Sequence, residues 1–230
     1  MKPPRRHITP ALSPTVAPDH GVNHLVLRRL VDRLYRHPFE GASARRYARL
    51  ERPAFEALDD RLVALLAPHL ATARRVVDLG AGPGTLTRAI RAAHPALSVI
   101  AVEPSADFAP TVRARGEALP LADACADVAI CLSSIRHVAD RAATLAELRR
   151  VVRPGGVLVI VELDPDASPE RAANHARRLG APHLRALFAP LVLRTAPPRD
   201  EIAALAARAG WNVFESRLDP LQPVYVLCFR

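Results

Sequence analysis

The sequence predicts an α/β fold with a largely parallel sheet covered by helices on both faces, and three observations carry that prediction. Residues 75–79 (Arg-Val-Val-Asp-Leu), a helical stretch to about Ala93, and residues 97–102 (Leu-Ser-Val-Ile-Ala-Val) form a strand–helix–strand unit. Residues 128–132 and 157–161 are further short aliphatic runs, and a helical segment lies between them. Runs that are apolar at nearly every position, instead of alternate ones, belong to strands buried on both faces.

The elements follow in order. Residues 1–20 hold Pro3, Pro4, Pro10, Pro14 and Pro18, which remove backbone donors and break helical runs, so a mobile arm is expected. Over residues 22–36, Leu27, Leu30, Val31 and Leu34 recur at helical spacing. Ser43 is a candidate cap for a second helix ending near Arg52-Pro53. Residues 54–66 read as a third, with Phe55, Leu58, Leu62, Leu65 and Leu66 on one face. Residues 21–70 thus form a helical cap ahead of a main domain over 71–230. In that domain a helix over 144–152 stops at Pro154-Gly155-Gly156. Two Arg- and His-containing helical stretches, 169–179 and 182–188, fall in an insertion at about 166–198 that is expected, together with the N-terminal helices, to cover the substrate. A helix over 199–209, stopped by Gly210, leads to strands 212–218 and 224–229. Asp219-Pro-Leu-Gln-Pro223 joins them as an antiparallel pair.

Composition narrows the function classes. A chain of 230 residues has room for one large domain and little for a second. With 50% hydrophobic and 24% charged residues it is neither a disordered chain, a collagen-like repeat nor a disulfide scaffold. The net charge of +9 comes from a chain whose single lysine is Lys2, so 31 of its 32 basic residues are arginine. That bias, with 22 prolines, fits a GC-rich coding sequence as readily as a polyanion surface. Cys125, Cys131 and Cys228 form no CxxC, so neither a disulfide nor a zinc site is expected. No apolar run approaches the ~18–20 residues of a membrane span. The first residues lack the apolar stretch of a signal peptide, so a cytoplasmic location is expected. Aromatic residues are 4% of the chain with no basic–aromatic interleaving, so no nucleic-acid partner is expected.

The chemistry concentrates at Val76-Val-Asp-Leu-Gly-Ala-Gly-Pro-Gly84. Glycines at a strand-to-helix turn let the backbone bend and let a ligand approach main-chain atoms. Asp78, two residues before Gly80, would repel a pyrophosphate placed at this turn and suits a cation instead. Position 85 is Thr where a dinucleotide G-x-G-x-x-G counted from Gly80 needs its third glycine, which disfavours an NAD-dependent oxidoreductase. Glu103 ends the second strand 25 residues after Asp78. A carboxylate there can accept hydrogen bonds from a ribose diol, a role that S-adenosylmethionine and NAD share.

Four ordered segments resemble the class I S-adenosylmethionine-dependent methyltransferases, in particular the small-molecule branch similar to ubiquinone/menaquinone biosynthesis methyltransferases. They are Val77–Gly84, Val102-Glu-Pro-Ser105, Glu117–Asp123 with Ala126-Asp-Val128, and Leu145–Gly156. The resemblance implies a Rossmann-like, doubly wound seven-stranded sheet in order 3-2-1-4-5-7-6 with strand 7 antiparallel. It also implies S-adenosyl-L-methionine as cofactor and methyl transfer to oxygen, nitrogen or carbon of a small molecule. Carried over by position, Asp78 and the turn Gly80, Ala81, Gly82 and Gly84 would line the methionine part, Glu103 would hold the ribose, and Pro104 or Ser105 would border the adenine.

Two departures stand out. The family's acidic triplet that binds the adenine amino group aligns with Ala114-Arg-Gly116, so Arg115, which has no acceptor, stands where the acid is expected. Backbone atoms, stacking, or Glu117 in a shifted alignment would then hold the adenine. Only 16 residues separate Glu103 from Leu119, and Pro110 interrupts them, so the intervening helix shrinks to about one turn, which leaves the adenine end either more exposed or covered by another segment.

After the fourth strand of the resemblance, Ser133-Ser-Ile-Arg-His-Val138 falls where the family places substrate-side groups. His137 is the candidate base, with an imidazole titrating near pH ~6.5, and Ser133 or Ser134 a candidate cofactor contact. Glu162 is the second candidate catalytic group, by substrate contact. Glu162, Asp164 and Asp166 alternate, but Pro165 bends the segment, so no metal is expected. Arg171, His175, Arg177, Arg178, His183 and Arg185 in the insertion would suit an anionic acceptor. A non-catalytic cofactor- or partner-binding protein is the alternative reading that Arg115 raises.

Overall fold

In the computed structural model, which describes residues 39–49, 57–179 and 182–230, the helices and strands alternate along the chain as the hydrophobic pattern dictates. In chain order they are α1 (Gly41–Arg49), α2 (Leu58–Leu70), β1 (Arg75–Leu79), α3 (Thr85–Ala93), β2 (Ser98–Val102), β3 (Ala126–Leu132), α4 (Arg141–Val151) and β4 (Val152–Leu163). Then come α5 (Pro169–Arg177), α6 (Pro182–Leu187), a π-helical turn (Phe188–Leu193), α7 (Arg199–Arg208), β5 (Val213–Leu218) and β6 (Val224–Phe229). The expected arm and the helix over 22–36 lie outside the described residues. Because α1 starts at Gly41, Ser43 falls inside the helix and not at its cap.

The strands form one sheet in the order β2-β1-β3-β4-β6-β5. β1 pairs in parallel with β2 and β3, and β3 with β4, whereas β6 runs antiparallel to both β4 and β5. The aliphatic strands alternate between two cores. Val76, Val128, Ile130, Val157, Val159 and Val161 pack with α2, α3, α5 and the π-helical turn. Val77, Leu79, Ala129, Cys131, Leu158 and Ile160 pack with α4 and α7, around the fully buried Trp211 and Phe229. Both faces of each inner strand are covered, which is why these strands carry aliphatics at successive positions.

Among the described residues the sheet has six strands where seven were expected. Beyond β2, in place of the third strand of the expected order, there is a single parallel bridge between Val102 and Val112. Val112 N–H donates to Ala101 O at 2.9 Å and Glu103 N–H to Val112 O at 3.1 Å. Pro110, which has no N–H to give, and the shortness of the segment stop the ladder there. No helix among the described residues is long and apolar enough to cross a membrane.

Candidate functional site

β1 delivers Asp78 to the carboxyl end of the sheet, and the chain then turns through Gly80-Ala81-Gly82-Pro83-Gly84 into α3. Gly80 and Ala81 N–H both donate to Val102 O, at 2.8 and 3.1 Å, which ties the turn to the end of β2. Gly80, Gly82 and Gly84 have φ of +69°, +52° and +75°, values that glycine reaches without strain. At Gly80 a side chain is also excluded by space, since a Cβ would lie 2.3 Å from Ser134 Cβ. At Gly82 no heavy atom lies within 4 Å of such a Cβ, so the backbone there is open to a guest.

Two carboxylates flank this turn. Asp78 is 2% exposed and accepts a hydrogen bond from Thr87 Oγ1 of α3 at 2.5 Å. Glu103 is 7% exposed; its Oε2 accepts from Gly82 N–H and its Oε1 from Ser105 N–H, both at 3.0 Å. Burial pushes the Glu103 carboxyl up, and the two backbone donors pull it back toward ionisation. One hydrogen bond per oxygen leaves acceptor capacity on both.

Asp78, Gly80, Ala81, Gly82, Glu103, Pro104, Ser105, Glu117, Ser133 and His137 line one cleft of about 340 Å³. Gly84 and Glu162 do not. Gly84 sits behind the turn, donating to Ala81 O at 2.9 Å and starting α3. Glu117 reaches the cleft, but its Oε1 accepts from Ala139 and Asp140 N–H at 2.6 and 3.0 Å, where the chain enters α4. Arg115 also lines the cleft and is solvent-exposed. Ser133, at the end of β3, takes a left-handed φ of +52°, and its N–H donates to Val161 O at 2.7 Å.

His137 departs from its expected chemistry. Burial, then the positive charges of Arg136 and Arg141, push its imidazole down to about 3, so it is neutral at physiological pH and a weaker base than the free side chain. Its ring meets Phe39 edge-on at 5.2 Å between centroids.

Glu162 is placed differently from the expected substrate contact. Fully buried, it is joined at Oε2 by Arg136 N–H at 3.3 Å and at Oε1 by Leu163 N–H at 2.7 Å, with Arg136 Nη1 at 3.8 Å. Burial raises its pKa, and the Arg136 charge opposes that rise. Asp164 turns instead to Arg171 Nη2 at 3.3 Å, so the alternating acids do not converge.

The basic residues of the insertion do not line the cleft either. Arg171 bonds Asp164 and the Asp219 and Gln222 carbonyls. His175 is buried, with Nδ1 2.8 Å from Gln222 Oε1 and its ring stacked on Phe188. Arg185 donates to Leu179 O, and Arg177 is exposed. Arg178 is half-buried off the cleft, and the His183 side chain lies outside what is described. No described residue of 166–198 borders the cleft, so of the two expected covers it is the N-terminal one that lies over it.

That cover is the segment just before and within α1. Phe39 and Tyr47 line the cleft with Phe108, and their rings meet edge-on in sequence, Phe39–Tyr47 at 5.2 Å and Tyr47–Phe108 at 6.4 Å. Gly41 N–H donates to Asp107 Oδ2 at 2.5 Å, Arg45 Nη1 to Asp107 Oδ1 at 2.7 Å, and Ser105 Oγ to Phe39 O at 2.6 Å. The shortened segment after β2 is therefore covered by another part of the chain, one of the two outcomes its length allowed. The sequence reading missed Phe39 and Tyr47. The available signal was that Tyr35, Phe39, Tyr47 and Phe55 crowd one short stretch of an aromatic-poor chain.

Comparison with known proteins agrees with this architecture. A family model described as a methyltransferase domain matches residues 47–216. A demethylmenaquinone methyltransferase of Roseiflexus sp. is 30% identical over 179 residues, 68% of this chain and 74% of the relative. A ubiquinone/menaquinone biosynthesis C-methyltransferase of Syntrophotalea carbinolica is 32% identical over 123 residues, 47% of this chain; the chain spans 52% of that relative's length. Among solved structures, an S-adenosylmethionine-dependent methyltransferase from Aquifex aeolicus superposes with a TM-score of 0.54 at 14% identity, covering 79% of this chain and 98% of that one. One from Mesorhizobium loti gives 0.54 at 15% identity, covering 77% and 99%.

Proposed function

The chain belongs to the family of class I S-adenosylmethionine-dependent methyltransferases, and from that premise we propose that it moves the methyl group of S-adenosylmethionine to a small-molecule acceptor. The observation that carries the reading is the pair of buried carboxylates, Asp78 and Glu103, on one cleft around a glycine turn whose backbone is open at Gly82. This lining fits the cofactor, since a buried acid favours a cationic head group and would repel a pyrophosphate. When bound, S-adenosylmethionine supplies an electrophilic methyl on a positively charged sulfur.

The residues divide the work by their chemistry. Asp78 and the turn Gly80–Gly82 would hold the amino-acid end, Asp78 kept in place by Thr87. Glu103 would accept from the ribose hydroxyls while its backbone bonds fix its orientation. Pro104 and Ser105 would border the base. Phe39, Tyr47 and Phe108 would exclude water from the reacting centre and favour a flat, apolar acceptor. Two of the relatives are named for quinone methylation, and a quinol-like acceptor suits the same lining. His137, held neutral, would accept a hydrogen bond from an acceptor hydroxyl and orient it; the proton would pass to the imidazole as the oxygen takes the methyl group and gains positive charge.

Calorimetric titration with S-adenosylmethionine and S-adenosylhomocysteine tests the reading. Binding of both is expected, with a loss of roughly 1–3 kcal/mol in Asp78→Ala, the range for removing charge-assisted hydrogen bonds. Absence of binding to the parent protein, or unchanged affinity in the variant, overturns it.

A further inference from the structure

Among the described residues, the large apolar side chains left exposed gather at one place. Val213, Phe214, Leu218 and Leu221, each 40–47% exposed, lie on or beside β5, and the remaining one is Leu187. Among the described residues β5 is the last strand of the sheet, with β6 on one side and no strand on the other. A bare edge with apolar side chains is a template for another strand.

The backbone shows which groups are on offer. Asp219 N–H donates to Val224 O at 3.0 Å, so residue 219 faces β6. Alternation along an antiparallel strand then turns the N–H and C=O of Ser216 and Leu218 away from β6, onto the open edge. The charges narrow the choice of partner. Glu215 and Arg217, ion-paired with each other, stand one residue either side of Ser216. Edge charges of a single sign would keep identical strands apart, but one of each sign about a central residue is self-complementary.

We propose that β5 pairs antiparallel with β5 of a second copy about a twofold axis at Ser216, making one continuous sheet across the two molecules. In that register Glu215 faces Arg217 of the second copy, Arg217 faces its Glu215, and Phe214 faces its Leu218. Centring on Glu215 or Arg217 would set like charges opposite each other. Centring on Leu218 would bring Pro220, which has no N–H, opposite Ser216. The exposed apolar side chains of the strand become covered on both sides of the axis.

Sedimentation equilibrium of the full chain over a wide concentration range tests this, and a dimer is expected. Glu215→Arg and Arg217→Glu should each raise the dimer dissociation constant about tenfold or more, since each puts like charges across the axis. Mixing the two variants should restore association, because two positive charges then face two negative ones. Repair within a single strand does not predict that recovery. A parent protein monomeric at every concentration overturns the proposal. So does a dimer indifferent to both variants, or a mixture that stays monomeric. Amide hydrogen exchange of the unmodified protein gives a reading free of any folding defect in the variants. The Ser216 and Leu218 amides should gain protection as concentration rises, and fast, concentration-independent exchange at both overturns the pairing.

Discussion

Ser134 occupies the space that a side chain on Gly80 would need: its Cβ is 2.3 Å from the position of a Cβ on Gly80, and its Oγ donates to Leu79 O at 2.7 Å. The end of β1 and the loop after β3 are thus locked by contact at the floor of the cleft. Gly80→Ala adds a clash to a φ of +69° and should lower stability by roughly 1–3 kcal/mol, the usual cost of overpacking. Ser134→Gly in the same chain removes the clash but not the backbone strain, so thermal melts should show partial recovery. No change in melting temperature for Gly80→Ala would mean that this contact is slack.

Glu162 and Arg136 form the other lock beneath the site. Arg136 Nη2 also donates to Val192 O at 2.8 Å, so one guanidinium joins β4, the loop carrying His137 and the π-helical turn. Removing Glu162 takes the carboxylate away from a buried guanidinium. Glu162→Ala should cost about 3–5 kcal/mol in denaturant unfolding, and Arg136→Met with Glu162→Leu together distinctly less. Equal loss in the single and double variants would show that the pair's geometry, and not the buried guanidinium's charge, sets the cost.

How far these features were legible in the sequence depends on which contacts make them. β1 and β6 match their expected bounds to within a residue, because continuous aliphatic runs bounded by glycine or proline leave little choice. Asp78 and Glu103 were readable because a parallel strand's carboxyl end fixes where its last side chains go. Glu162 also ends a strand, yet it turns beneath the site. What decides that is Arg136, 26 residues earlier in the chain, and no local pattern records the pairing. The cleft's aromatic cover escaped for the same reason: Phe39 reaches Ser105 across 66 residues. The insertion's arginines looked functional from charge alone, but Arg171 and Arg185 satisfy nearby carbonyls and an acid instead.

A neutral His137 has a pH signature. With its imidazole pushed from 6.5 down to about 3, the unfolded chain binds the proton first as pH falls. His137 therefore adds stability that is complete above pH ~6.5 and is lost progressively toward pH ~3. Thermal melts across that window should flatten in His137→Gln relative to the parent. In activity profiles of the free enzyme, the parent should show no inflection near pH ~6.5 that His137→Gln abolishes. Such an inflection would show that the imidazole titrates near its ordinary value and acts as an unperturbed base.

Arg115 gives the sharpest handle on how the base of the cofactor is recognised. Arg115 lines the cleft at the position where the family resemblance calls for an acid, and its guanidinium offers donors only. It cannot accept from the adenine amino group, but it can donate to ring nitrogens or to an exocyclic oxygen, as arginine does to the N7 and O6 edge of guanine. S-adenosylhomocysteine and its 6-oxo counterpart, in which inosine replaces adenosine, should therefore bind the parent protein with affinities within about tenfold of each other. Arg115→Asp supplies the acceptor and should shift the ratio toward the adenosine compound by about tenfold or more. Titration calorimetry of both ligands against both proteins reads the ratio directly. Strong preference for adenosine in the parent would assign the amino group to another acceptor, of which the second oxygen of Glu117, on the same cleft, is the nearest in sequence.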